Sequence, residues 1–246
     1  MRDKRYLAPN LMTVFNLFLG FLAVISAFKG NFNTGAWLVL VAAICDYLDG
    51  KIARATTSFS KFGIEFDSLA DVVSFGVAPA MLIYCAQLRE HEPIGLVASF
   101  LPLAAGAIRL ARFNSSLSGF DRHNYTGMPI PTAAGIICSY IIFSHEVWEE
   151  MRLPALSIAL AVVVSVLMVS TIEFEAMPKF SFRRGRRNSM LFVLVALCAA
   201  MIVLYPAGAL FPLAVGYTLS QLGRALLHHV RDEDEESVPD VSVSKH

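Results

Sequence analysis

Four aspartates, Asp46, Asp49, Asp67 and Asp71, fall within the stretch DYLDGKIARATTSFSKFGIEFDSLAD, which is flanked by strongly apolar runs. Asp46 and Asp49 are three residues apart with Gly50 following, so they share a helical face, and Arg54 lies a further turn on. Gly63, Asp67 and Asp71 recur every four residues, one row on a second helix. A carboxylate at the centre of a membrane helix costs about 2.5–3.5 kcal/mol, so four left unpaired there would cost about 10–14 kcal/mol. Neither Arg54 nor a neighbouring lysine can neutralise all four. Divalent cations can. An oxygen-rich cluster of this kind suits Mg²⁺, Mn²⁺ or Ca²⁺, and the want of a His/Cys cluster beside it argues against zinc.

The chemistry open to such a cluster is displacement at a phosphate or diphosphate, with cations stabilising charge on the attacking and leaving oxygens. Structural ion pairing and close helix packing at the glycines are the plainer readings of each residue taken singly. A cation-coupled transporter could also use the four aspartates as an ion site. A membrane prenyltransferase would use aspartate-bound Mg²⁺ too, with different aspartate spacing.

The complete pattern, Asp46-x2-Asp49-Gly50-x2-Ala53-Arg54-x8-Gly63-x3-Asp67-x3-Asp71, resembles the signature of the CDP-alcohol phosphatidyltransferases at every defined position. The opening Pro9-Asn10-Leu11-x-Thr13-x2-Asn16, the stretch Arg109-Leu110-Ala111-Arg112-Phe113-Asn114 and the run Tyr125–Gly135 are similar to the membrane-integral phosphatidylserine synthases of that family. The resemblance implies transfer of a phosphatidyl group from CDP-diacylglycerol to an alcohol, with release of CMP. It implies Asp46, Asp49, Asp67 and Asp71 as ligands of Mg²⁺ or Mn²⁺ (Ca²⁺ being able to occupy the site), and Asp71 as general base. Gly50, Arg54, Gly63, Asn10 and Thr13 are the expected contacts to the CDP-lipid. A second copy of the chain is the protein partner that the family suggests, and no nucleic acid is expected.

The motif leaves the acceptor alcohol open among serine, glycerol 3-phosphate, inositol or its phosphate, choline and ethanolamine. An amino-acid acceptor needs a cation for its carboxylate. Arg109 and Arg112 are three apart on one face, with Asn114 just beyond, and could hold that carboxylate bidentately. Their plainer role is to anchor the helix end among anionic headgroups. L-Serine is the acceptor favoured by this set. Choline would want an aromatic cage, for which Phe59, Phe62, Phe66 and Phe75 are the candidates. No His-x-Lys pair is present, so the reading is direct transfer, without a phosphohistidine intermediate.

Long apolar helices must position these groups. The chain has 246 residues, of which 56% are hydrophobic and 16% charged, well below the roughly 25% charged of soluble domains. The expectation is an all-α, polytopic membrane bundle spanning 1–230, followed by a disordered acidic tail, 231–246. Apolar runs predict about eight transmembrane helices near 11–28, 34–54, 66–88, 94–113, 131–149, 153–172, 190–206 and 208–227. The last two are expected to join in a tight hairpin, Tyr205-Pro206-Ala207-Gly208. With the N-terminus inside, all Lys and Arg except Lys29, Arg89 and Arg152 fall on the inner side, including the FRRGRR run at 182–187. Both termini and the aspartates are thus expected at the cytoplasmic face. Cys45, Cys85, Cys138 and Cys198 are widely spaced in apolar segments and read as packing residues.

Overall fold

The computed structural model describes residues 7–56, 61–117, 127–172 and 200–236, and every extended regular element among them is helical. The helices are α1 (Leu7–Phe28), α2 (Phe32–Thr56), α3 (Lys61–Asp71), α4 (Ala78–Ala86), α5 (Ile94–Leu117), α6 (Ile130–Trp148), α7 (Pro154–Val169) and α8 (Pro206–Glu236). A π-helical turn, Val72–Val77, joins α3 to α4, and a 3₁₀ turn, Leu88–His91, follows α4. The third predicted helix therefore begins five residues earlier than its apolar run, because Lys61 and Glu65 dilute its first turns.

Among the described residues four stretches are long and apolar enough to cross a membrane: Asn10–Phe28, Phe62–Ala86, Ile94–Ser115 and Ile130–Trp148. Helix α7 is apolar but only 16 residues long. Helix α2 has the length, 25 residues, while its second half carries Asp46, Asp49 and Lys51. The basic run at 182–187, most of the predicted helix 190–206, Cys198 and the chain beyond Glu236 lie outside the described residues. Residues 200–204 are helical. The expected hairpin after them shrinks to Tyr205 alone, since Pro206, Ala207 and Gly208 form the first turn of α8, where proline's missing N–H costs nothing. Helix α8 continues to Glu236.

Helix α1 shows the logic of the bundle. Leu11, Val14, Phe15, Phe18 and Phe21 form an exposed apolar stripe, while Thr13, Asn16, Leu19, Ala23 and Ala27 on the other face are buried. Its partner α2 buries Ala36, Val39, Ala42, Cys45 and Asp49 at helical spacing. Small residues on both sides let the two backbones approach, as expected where lipid supplies no hydrophobic drive between helices. Helix α7 packs one side on α5, burying Ser157, Ala161, Val164, Ser165 and Met168, and leaves Val162, Val163 and Val166 outward.

Two glycines fix the close approaches. A Cβ on Gly20 would lie 2.6 Å from Ser74 Cα, so only glycine lets α1 press against the π turn. Gly127, at φ +82°, starts the approach to α6; its N–H donates to Ile172 O at 2.8 Å, and that of Met128 to Leu167 O at 2.9 Å. Pro129 and Pro131 then set the first turn of α6, as expected for a rigid helix start.

Candidate active site

The bundle gathers the aspartates from two helices that are consecutive in sequence. Asp46 and Asp49 lie near the C-terminal end of α2, and Asp67 and Asp71 in the second half of α3. Carboxylate oxygens of Asp46, Asp49 and Asp67 all lie within 4.8 Å of one another. Asp49 is only 4% exposed and Asp71 8%. Asp71, one turn beyond Asp67 on α3, is not part of that trio.

The Arg152–Glu150 ion pair, at 2.9 Å, involves none of these carboxylates. Asp67 Oδ1 is buried without a hydrogen-bond partner among the described residues. An orphaned carboxylate oxygen beside two other carboxylates is what a hard divalent cation fits. The donor set, all oxygen, agrees with Mg²⁺ or Mn²⁺ and not with a thiolate- or imidazole-seeking metal.

Helix α1 supplies the partners of two carboxylates. Thr13 Oγ1 donates to Asp49 Oδ2 at 3.2 Å. One turn along, Asn16 Nδ2 donates to Asp71 Oδ1 at 3.4 Å. Ser74 Oγ, on the π turn, donates to the main-chain oxygen of Asn16 at 3.0 Å. Thr13 was expected at the site from the resemblance. Asn16 was not given a role, although an amide in the middle of an apolar run was a visible signal.

The remaining expected residues are placed as follows. Gly50 lies on α2 directly after Asp49, and Gly63 one turn before Asp67 on α3. Arg54 is in the last turns of α2, and its side chain lies outside the described residues. Asn10 is half-buried near the start of α1. Arg109 is half-buried and Arg112 exposed on α5. Asn114 is committed to α3: its Nδ2 donates to Glu65 Oε2 at 3.2 Å and to Ser68 Oγ at 3.0 Å. These contacts bring the last turns of α5 alongside the aspartate-bearing helix. Sequence reasoning passed over Glu65 and Ser68, which are more than 40 positions from Asn114.

The aromatic cage expected for a choline acceptor finds no support. Phe75 is 2% exposed inside the core, and Phe62 and Phe66 stack on each other at 5.8 Å between centroids; Phe59 lies outside the described residues. Cys45, Cys85 and Cys138 are free thiols, in line with a packing role.

Comparison with known proteins agrees with this geometry. A model of the CDP-alcohol phosphatidyltransferase family matches residues 6–170. A CDP-diacylglycerol–serine O-phosphatidyltransferase of Helicobacter pylori is 39% identical over 83% of this chain and 85% of its own. An archaetidylserine synthase of Methanothermobacter thermautotrophicus is 38% identical over 71% of this chain and 73% of its own. A CDP-diacylglycerol–serine O-phosphatidyltransferase of Bacillus subtilis is 33% identical over 73% of this chain and 98% of its own. The apolar spans, the carboxylate cluster and these matches make one case: the chain is an integral membrane transferase that belongs to the CDP-alcohol phosphatidyltransferase family.

Proposed function

We propose that the protein transfers the phosphatidyl group of CDP-diacylglycerol to L-serine, giving phosphatidylserine and CMP. The observation that carries this reading is the convergence of Asp46, Asp49 and Asp67 within 4.8 Å in a chain whose relatives, named above, share serine in their names while differing in the lipid. Asp46, Asp49, Asp67 and Asp71 would hold the cations, Mg²⁺ or Mn²⁺. Bound there, divalent cations supply neutralisation of the diphosphate and stabilise charge on the attacking and leaving oxygens.

The protein's own groups do the rest. Asp71 accepts the proton of the serine hydroxyl as its oxygen bonds to the lipid-bearing phosphorus. The bond from that phosphorus to the bridging oxygen breaks, and CMP leaves with the electron pair. Gly50 and Gly63 leave room for the nucleotide beside the backbone, and Arg54, Asn10 and Thr13 contact the CDP portion. Arg109 and Arg112 bind the serine carboxylate. Asn114 acts less as a ligand than as the tie that holds this turn of α5 against α3, through Glu65 and Ser68. The distribution of Lys and Arg supports a cytoplasmic site, where serine is at hand and lipid enters sideways from the bilayer.

The test is CMP release by purified protein with CDP-diacylglycerol and Mg²⁺ or Mn²⁺, offering acceptors singly. Serine-dependent release is the expected result. Release with choline or glycerol 3-phosphate in its place would retain the aspartate chemistry and discard the Arg109/Arg112 assignment. No release with any acceptor or cation from folded protein would return the cluster to an ion-transport role.

A further inference from the structure

Asn16 is 0% exposed at the middle of an apolar helix, an unfavourable place for an amide unless every polar atom is used. Its Nδ2 is used, on Asp71 Oδ1 at 3.4 Å. Its main-chain oxygen is used, by Ser74 Oγ at 3.0 Å. Its Oδ1 is buried and has no donor among the described residues. The amide cannot turn over to improve matters, because Oδ1 would then face the Asp71 carboxylate. One acceptor is thus held beside the one aspartate outside the close trio, with no donor to fill it among the described residues.

We infer that Asn16 is the positioning residue for Asp71, and that its Oδ1 receives an N–H or O–H of the acceptor alcohol when that substrate binds. The inference rests on Asp71 as the base in the reading above. Nδ2 holds one carboxylate oxygen and so aims the other at the incoming hydroxyl. The clamp acts at two points of one segment: the Asn16 side chain grips Asp71 and its carbonyl grips Ser74, three residues on. Gly20, a turn further along α1, keeps that segment close. Thr13 stands in the same relation to Asp49 and therefore to the trio. One helix would then set both halves of the site, Thr13 tuning cation affinity and Asn16 proton transfer.

The experiment compares Asn16→Ala, Asn16→Asp and Thr13→Ala in full-length detergent-purified protein, with Tm and CDP-diacylglycerol binding measured beside steady-state kinetics. N16A is expected to fold, to bind CDP-diacylglycerol as the parent does, and to lose about 10- to 100-fold in kcat, the scale of a misplaced reacting group. Its apparent KM for serine rises while that for CDP-diacylglycerol stays within about twofold. N16D keeps the shape, replaces the donor by a repelling carboxylate, and loses at least as much. T13A instead raises the Mg²⁺ concentration for half-activity and leaves the serine KM unchanged. Asn16→Ser carries the N16A expectation should the larger changes not fold. A folded N16A or N16S with parental kcat and serine KM, or one whose only defect is lower Tm or altered Mg²⁺ response, overturns the inference. Wild-type protein that releases no CMP with serine would overturn the parent reading instead, so the two failures are distinct.

Discussion

The two ends of the bundle hold polar groups of opposite character. At one end two open clefts of about 690 and 570 Å³ share Arg89: the larger, beside the 3₁₀ turn and the start of α7, is also lined by Glu90, His91 and Glu150, and the smaller lies where α1 ends and α2 begins. Several polar side chains there find one another: Ser157 donates to Gln87, Tyr84 to Glu92, and Arg152 pairs with Glu150, while Ser144 Oγ and His145 Nε2 are buried without a partner among the described residues. At the other end the carboxylates of Asp46, Asp49 and Asp67 crowd together, and both Asp67 and Asn16 keep a buried oxygen without a donor among the described residues. What distinguishes the second end is the gathering of several carboxylates at one point of the fold, the kind of arrangement that marks a functional site.

Substitutions at the two ends should separate accordingly. The largest effect is expected for Asp71→Asn, which removes the base and lowers kcat by about 10²–10⁴-fold while CDP-diacylglycerol binding, read by isothermal titration, persists. Next, Asp67→Asn or Asp49→Asn should raise the Mg²⁺ needed for half-activity by more than the about 10–100-fold that loss of a merely supporting group costs. Chelation should abolish wild-type turnover and added Mg²⁺ or Mn²⁺ restore it. Arg112→Ala is expected to raise the serine KM about tenfold, the scale of one charge-assisted hydrogen bond, with the CDP-diacylglycerol KM little changed. If both constants stay put, the carboxylate assignment falls. At the far end, Gln87→Leu strands the Ser157 hydroxyl, which is 0% exposed. A stability loss of about 1–3 kcal/mol should appear as a lower Tm with kcat intact; a kcat defect there would erase the contrast between the ends.

The helices were legible because each is an apolar run bounded by Gly, Pro or charge, and the aspartate pairs because their spacing matches a helical face. What stayed hidden was contact between distant positions. Asn16 and Asp71 are 55 residues apart, and Asn114 and Glu65 are 49 apart; no local period reports such pairs. The resemblance located Thr13 and Asn114 at the site, but only the fold showed Thr13 bound to Asp49 and Asn114 bound to α3. The start of α3 was missed for the opposite reason: its first turns are polar, and apolar length is a poor guide where a membrane helix runs out into water.

The π turn after Asp71 has a consequence for how this chain can change length. A π turn holds one residue more than an α turn would, and each residue turns a helix by about 100°. That extra residue lets Gly63, Asp67 and Asp71 look toward α1 and α2 while Ala78, Leu82 and Ile83, further on, are buried in the core. Removing any single residue from Val72–Val77 would restore a regular helix and leave one half facing the wrong way. The segment behaves like a threaded joint: it tolerates a change of side chain more readily than a change in the number of links.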